Sequence, residues 1–359
     1  LAAHGECGLV HPIAPGVLPN THSGVGLLLG ARSDQVERLK RGPVEAVGRG
    51  LDLQAGDIAL RANFATLKPG QDGPLIVDRR AGRIRDGGRE LAEALRTIEL
   101  GDDIDALFYA TEQHRGVLVL RGSNLSPAVT HIESLVPEAA RTAAALNRYV
   151  LSAHQVLHDH SINIGRSKRG LPMANGVILR GAGSAWSSDN GIHDRRLAAA
   201  VVTGCTTVKG LARLFGFQTM EDDCFTADHD TDLDAKFRAA LDALSDFDLV
   251  FVHVKAPDIY AHDRDPLGKK EFLEKIDRAI TPMMSQRLVL AVGSDHTTDS
   301  NSGRHRAEPV PALCSFAPLP GDDPAEPMSF GESACIEGSL SGLSNAEFLE
   351  RFVVALQNT

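Results

Sequence analysis

Short, continuously apolar runs constrain the fold of this chain more than any other feature. LVFVHV (Leu249 to Val254), LVLAV (Leu288 to Val292), GVLVL (Gly116 to Leu120), Val177 to Leu179 and Ala198 to Val202 are apolar without alternation, the pattern of strands buried on both faces. Between them lie stretches with a 3.6-residue apolar period: Asp34 to Val47, Asp234 to Leu244, Lys269 to Ile280 and Asn345 to Leu356. Pro137 to Leu157 reads as one long helix or two. Strands alternating with helices give an α/β fold with a mainly parallel sheet. Lys68 to Pro74 and Pro318 to Pro327, rich in Gly and Pro, read as surface loops.

With 359 residues, 43% of them hydrophobic, the chain can bury a sizeable core without disulfides. At roughly 150 residues per domain the length suggests two domains, or one domain carrying a large insertion. No linker composition marks a boundary, which favours the insertion. The net charge of −10 argues against general binding to nucleic acid or an anionic membrane, and no run approaches the roughly 20 apolar residues of a membrane span. Five scattered cysteines without a CxxC pair suit a reducing cytoplasm. The sequence opens Leu-Ala-Ala-His, with no Met and no signal-peptide pattern, so a missing natural start is expected.

The chemistry concentrates where strands end. Directly beyond LVFVHV a loop is expected to hold Asp258 and His262, and beyond LVLAV the stretch GSDHTTDS holds Asp295 and His296. GRHRAEPVP then supplies His305. Ligands of open α/β sheets gather at the carboxyl ends of strands. Two carboxylates and three imidazoles suit Zn²⁺ or Mn²⁺, and are too many for one four-coordinate ion with an open position. Two ions about 4 Å apart can clamp the attacking and leaving oxygens of an in-line phosphoryl displacement. An Asp-His pair alone is more often a loop or a cap; the three pieces in order are what carry the reading. The other histidines, His114 among them, are expected to be structural, with His158 and His160 at a helix end.

KAPDIYAHDRD, GSDHTT and HRAEPVP resemble the C-terminal metal motifs of the cofactor-independent phosphoglycerate mutases, in their archaeal-type branch within the alkaline phosphatase superfamily. RGPVEAVGRGLDLQAGDIALRANFATL, DRRAGR, RGVLVLRG, GLPMANGVILRGAG and TTVKGLARLFG are similar to blocks of that branch in the same order, so the resemblance covers nearly the whole chain.

The resemblance implies an alkaline-phosphatase-like α/β/α core formed by residues 1–51 and 177–359, with a smaller α+β substrate domain, residues 52–176, inserted. It implies two divalent ions (Mn²⁺ or Zn²⁺, with Mg²⁺ and Co²⁺ as further candidates) and no organic cofactor. Asp258, His262 and His305 match the ligands of one ion. Asp295 and His296 match those of the other, which also binds the nucleophile and an Asp from a first strand that has no counterpart here. Where the family carries its nucleophilic Ser, this chain reads Pro19-Asn20-Thr21-His22-Ser23-Gly24, and alignment places Thr21 there. Thr is competent as a metal-activated nucleophile, and Thr21 also reads as a helix N-cap. The substrate is a small phosphorylated carboxylic acid. Its anionic groups would meet Arg61, Arg79, Arg80, Arg83, Arg121, Arg180 and Lys209, the last being the best matched. Asp78 is a candidate proton shuttle. An Asp-Pro-His block of the family is replaced by PAVTHIE around Pro127 to His131.

The implied activity is that of a glycolytic isomerase, in the cytoplasm. It interconverts 3- and 2-phosphoglycerate through phospho-Thr21, with glycerate reorienting in a closed site that keeps water out. A phosphohydrolase on the same scaffold is the alternative, favoured by Thr21 and by His22 and Val25 in place of the family's Asp and His. A non-catalytic relative that binds phosphometabolites is a third reading, motivated by the missing first-strand Asp. No membrane or nucleic-acid partner is expected, and oligomeric state is not legible.

Overall fold

A computed structural model describes residues 5–71, 73–129, 137–186, 195–317 and 330–357. His4, His131, His193 and the Pro318 to Pro327 loop lie outside the described residues. Two compact units form: Leu1–Leu39 with Ser188–Thr359, and Lys40–Ser187 between them in sequence. No described helix is long and apolar enough to cross a membrane.

The first unit starts with β1 (Glu6–Val10) and α1 (Thr21–Leu28). The expected helix from Asp34 to Val47 is instead a 3₁₀ turn over Ser33–Arg38 followed by α2 (Arg41–Gly48). Pro43 stands in the first turn of α2. Its missing N–H, and the clash of its ring with the carbonyl four residues back, forbid one continuous helix through Leu39.

The second unit continues through β2 (Ile58–Lys68), β3 (Leu75–Asp78), α3 (Gly88–Leu95), β4 (Ile104–Ala110) and β5 (Arg115–Gly122). It closes with α4 (Pro137–His158), α5 (Ser161–Lys168) and β6 (Gly176–Ser184). The order is β3-β2-β5-β4, with β6 also on β2, and every pairing is antiparallel. The unit is wider than 52–176 at both ends. β6 belongs to it because Asn63 pairs with Ile178 across the ladder. α2 belongs to it because Ala46 packs with Ala59, Val117 and Val119. Gly42 permits that approach, since a Cβ there would lie 2.0 Å from the Ala59 carbonyl oxygen.

The first unit resumes with β7 (Ala199–Val202), α6 (Thr206–Leu214), β8 (Gln218–Met220), α7 (Leu233–Ala243) and β9 (Leu249–Val252). There follow α8 (Ala256–His262), α9 (Pro266–Ala279), β10 (Leu288–Val292), β11 (Thr297–Asp299) and β12 (Arg304–Arg306). β13 (Val310–Ala317), α10 (Glu332–Cys335) and α11 (Asn345–Gln357) complete it.

Among the described residues the strands fall into several sheets rather than one mainly parallel sheet. Among the described residues, parallel pairing is confined to β8-β7-β9, whereas β1-β13-β10 is antiparallel. Continuous apolarity reports coverage of both faces of a strand, not its direction. In β5, Val117 and Val119 face the α2 side, while Leu118 and Leu120 join the opposite core with Leu91 and Tyr149.

Candidate metal centre and nucleophile

Asp258 and His262 sit on α8, not in a loop, because the helix begins four residues after β9 ends. Their i, i+4 spacing puts both on one face. Asp295 and His296 fill the short connection from β10 to β11, and β12 brings His305 opposite Thr298. Thr21 is the first residue of α1. Its N-cap is Asn20, whose Oδ1 accepts from the backbone N–H groups of His22 (3.1 Å) and Ser23 (3.2 Å). The Ser23 hydroxyl donates to the Asn20 carbonyl at 2.9 Å, so Ser23 closes the cap while the Thr21 hydroxyl points elsewhere. Helix α1 abuts the ligand loop: a Cβ on Gly24 would lie 2.0 Å from the Asp295 carbonyl oxygen.

Asp258, His296 and His305 place ligand atoms within 4.8 Å of one another. That group draws on both ligand sets implied by the resemblance. His262 adjoins it, with Nε2 3.5 Å from Asp258 Oδ1 and 3.3 Å from His305 Nε2. Each imidazole is fixed through Nδ1. His262 donates to the Gly303 carbonyl (2.8 Å) and His305 to the Pro19 carbonyl (3.1 Å). The Thr298 hydroxyl gives its proton to Asp258 Oδ1 at 2.7 Å and so accepts from His296 Nδ1 at 3.1 Å. Protons on Nδ1 leave lone pairs on all three Nε2 atoms. Two of these meet at 3.3 Å, which is repulsive unless a cation lies between them. The third, His296 Nε2, faces Asp295 Oδ2 at 3.2 Å, a buried oxygen with no hydrogen-bond donor among the described residues. This donor set fits divalent metal ions, with orienting partners of the kind metal-ligating histidines have.

Electrostatics agree. Burial lowers His296 to about 4 and lowers His305 as well, so both imidazoles are neutral, as ligands must be. Burial pushes Asp295 up to about 6, a carboxylate in want of a positive neighbour. Burial also opposes ionisation of Asp258, but Lys255, His262 and His296 hold it well below the usual carboxylate range.

Two site residues were not singled out by their sequence pattern. Lys255, 8% exposed, donates to Asp258 Oδ2 at 2.8 Å and to Thr21 Oγ1 at 3.1 Å. Thr298 ties Asp258 to His296. Lys255 stands within the same KAPD motif as Asp258, and Thr298 is the second Thr of DHTT; both follow apolar runs, the one available signal.

The expected anion-binding residues divide between the units. Lys209, on α6, lies 3.4 Å from Glu221 Oε1. Within Lys40–Ser187, Arg61 is buried against Glu45 at 2.9 Å, and Arg121 grips Asp57 through Nε (3.0 Å) and an Nη (2.6 Å). Arg61, Arg80 and Arg83, with Arg115, act electrostatically on one buried imidazole, His114; Arg61, Arg79 and Arg115 act on Arg180. Asp78 caps its own turn, accepting from the N–H groups of Arg80 (2.8 Å) and Gly82 (2.6 Å), so both oxygens are committed to holding DRRAGR in shape.

A family model described as 2,3-bisphosphoglycerate-independent phosphoglycerate mutase matches residues 2–163. A protein of that name from Methanopyrus kandleri is 36% identical over 97% of this chain and 86% of its own length. Another, from Archaeoglobus fulgidus, is 34% identical over 97% of this chain and 88% of its own. Among solved structures, the PH0037 protein of Pyrococcus horikoshii superposes with a TM-score of 0.81 at 27% identity, covering 100% of this chain and 89% of that one. A cofactor-independent phosphoglycerate mutase from Thermoplasma acidophilum gives 0.58 at 29% identity, covering 98% and 89%. At such identity over almost its whole length, this chain belongs to the 2,3-bisphosphoglycerate-independent phosphoglycerate mutase family.

Proposed function

We propose that the chain interconverts 3-phosphoglycerate and 2-phosphoglycerate through a phosphorylated Thr21, on an alkaline-phosphatase-like core. The observation that carries this is the Thr21 hydroxyl, 3.3 Å from His296 Nε2 at the edge of the convergent Asp/His set. Asp258, His262 and His305 would hold one divalent ion; Asp295, His296 and Thr21 would hold the second. Bound ions of this kind neutralise charge on phosphoryl oxygens and favour the alkoxide of a coordinated hydroxyl.

The chain's own residues do the rest. The Asn20–Ser23 cap fixes the start of α1, so the Thr21 hydroxyl is presented in one orientation. Thr298 and the carbonyls of Gly303 and Pro19 keep every Nε2 aimed inward. Lys209, on α6 of the unit that carries Thr21, would supply a cationic donor for the substrate's anionic groups. Arg61 and Arg121, held by Glu45 and Asp57, order the strands that carry them.

The test is incubation of the protein with 3-phosphoglycerate and Mn²⁺, without added bisphosphoglycerate. The expected result is 2-phosphoglycerate with little inorganic phosphate, and no conversion by Thr21→Ala. Inorganic phosphate without 2-phosphoglycerate would overturn the mutase reading and favour a phosphohydrolase.

A further inference from the structure

Asp258 uses its two oxygens differently. Oδ1 faces the imidazoles, 3.5 Å from His262 and 4.0 Å from both His296 and His305, and accepts from Thr298. Oδ2 accepts only from Lys255 among the described residues, at 2.8 Å. The Lys255 ammonium therefore sits beside the ligand cluster. Its other contact is Thr21 Oγ1, at 3.1 Å. A lysine 8% exposed has given up most of its hydration. Fixing it there is worthwhile only where negative charge is present or develops, and an ammonium in such a dry place acts far more strongly than in water.

From this geometry we infer that Lys255 is a catalytic residue of the phosphoryl transfer, a fixed cation hydrogen-bonded to the nucleophilic oxygen. The inference rests on Thr21 being that nucleophile. In the first half-reaction the bond from Thr21 Oγ1 to phosphorus forms, and the bond from phosphorus to the substrate oxygen breaks, its electron pair staying on that oxygen. The proton lost by Thr21 ends on the released hydroxyl of glycerate. In the second half-reaction the Oγ1–P bond breaks and its pair returns to Oγ1, while the other glycerate hydroxyl gives up its proton. Oγ1 carries developing negative charge as it attacks and again as it leaves, so one cation serves both directions. Asp258 Oδ2 holds Lys255 in place, which couples the nucleophile to the ligand set through a side chain that need not bind metal.

Lys255→Met and Lys255→Arg would be compared with the wild type and Thr21→Ala, all loaded with Mn²⁺. Turnover, phospho-enzyme trapped by acid quench with radiolabelled substrate, bound metal per chain and thermal midpoint are measured on each. Losing a donor to a reacting oxygen typically costs about a hundredfold in kcat, so Lys255→Met is expected to fall by about that, with KM, metal content and midpoint little changed. Arg restores the charge but not the compact geometry, and is expected to recover about tenfold of that loss. The inference is overturned if Lys255→Met forms phospho-enzyme at the wild-type rate, or if its activity falls only in step with lost metal or lost folding. If the wild type itself gives no 2-phosphoglycerate and no label on Thr21, the mutase reading and this inference fall together; failure confined to the Lys255 variants to show an effect sinks this one alone.

Discussion

Thr21 Oγ1 and His296 Nε2 stand 3.3 Å apart although 275 positions separate them in the chain. The contact is possible because α1 and the β10–β11 connection touch backbone to backbone at Gly24. Gly24→Ala would put a methyl carbon 2.0 Å from the Asp295 carbonyl oxygen and force the two segments apart. Overpacking of this kind costs about 1–3 kcal/mol, and displaced ligands typically lose roughly 10–100-fold in metal affinity. Isothermal titration with Mn²⁺ and a urea midpoint check both; unchanged affinity would mean that α1 does not set the ligand geometry.

Chelation is expected to lower the melting temperature, because it leaves His262 and His305 with opposed lone pairs at 3.3 Å. Mn²⁺ at a hundred times its Kd should restore about 2.7 kcal/mol of stability for a single site. Asp258→Asn keeps the shape but removes the charge, and its midpoint should respond less to Mn²⁺ than the wild type's, since the Asp295, His296 and Thr21 set remains. Differential scanning calorimetry with and without metal reads this directly.

His114 should make stability depend on pH. Burial, then the charges of Arg115, Arg61, Arg80 and Arg83, lower it from 6.5 to about 3. Between those values the unfolded chain binds a proton that the folded chain refuses, so stability is full above pH 6.5 and is lost as pH falls. The slope from one such proton is at most about 1.4 kcal/mol per pH unit. From pH 7 to 5, wild type should therefore lose about 2 kcal/mol more than His114→Asn. Equal losses in urea titrations would show that His114 is protonated without cost.

Tyr149 is fully buried, and its hydroxyl has no hydrogen-bond partner among the described residues. Burying an unpaired hydroxyl costs about 1–3 kcal/mol. Tyr149→Phe should keep the ring contacts with Phe108 and leave stability unchanged or raised by about 1 kcal/mol. A clear loss of stability would reveal a partner for that hydroxyl.

How much of this was legible in the sequence differs by residue. Asp258, His262, Asp295 and His296 could be read because they follow apolar runs, and a strand's end is a local property; His305 was legible only through the order of the three pieces. Strand direction could not be read: β5 is apolar because elements cover both its faces, and pairing direction depends on distant partners. The break at Leu39 is legible in Pro43, but the apolar period from Asp34 to Val47 masks it. Asn20 takes the capping role that suited Thr21 equally well, since both residue types cap helices. Lys255 stayed invisible because one Lys after a strand is ordinarily a solvated charge, and only the fold brings Thr21 Oγ1 within 3.1 Å of it.

The split of the first unit has a consequence for how the protein is made. Lys40–Ser187 is one uninterrupted stretch with its own core, so it can fold as soon as it leaves the ribosome. Helix α1 emerges earlier, with Val25, Leu27 and Leu28 destined for burial, but it packs against α6 and α11, which are synthesised after that stretch. For most of translation the Thr21 hydroxyl rides on an uncovered apolar helix. A nascent chain stalled near residue 190 should thus engage chaperones through α1, and release them only when the last helix arrives.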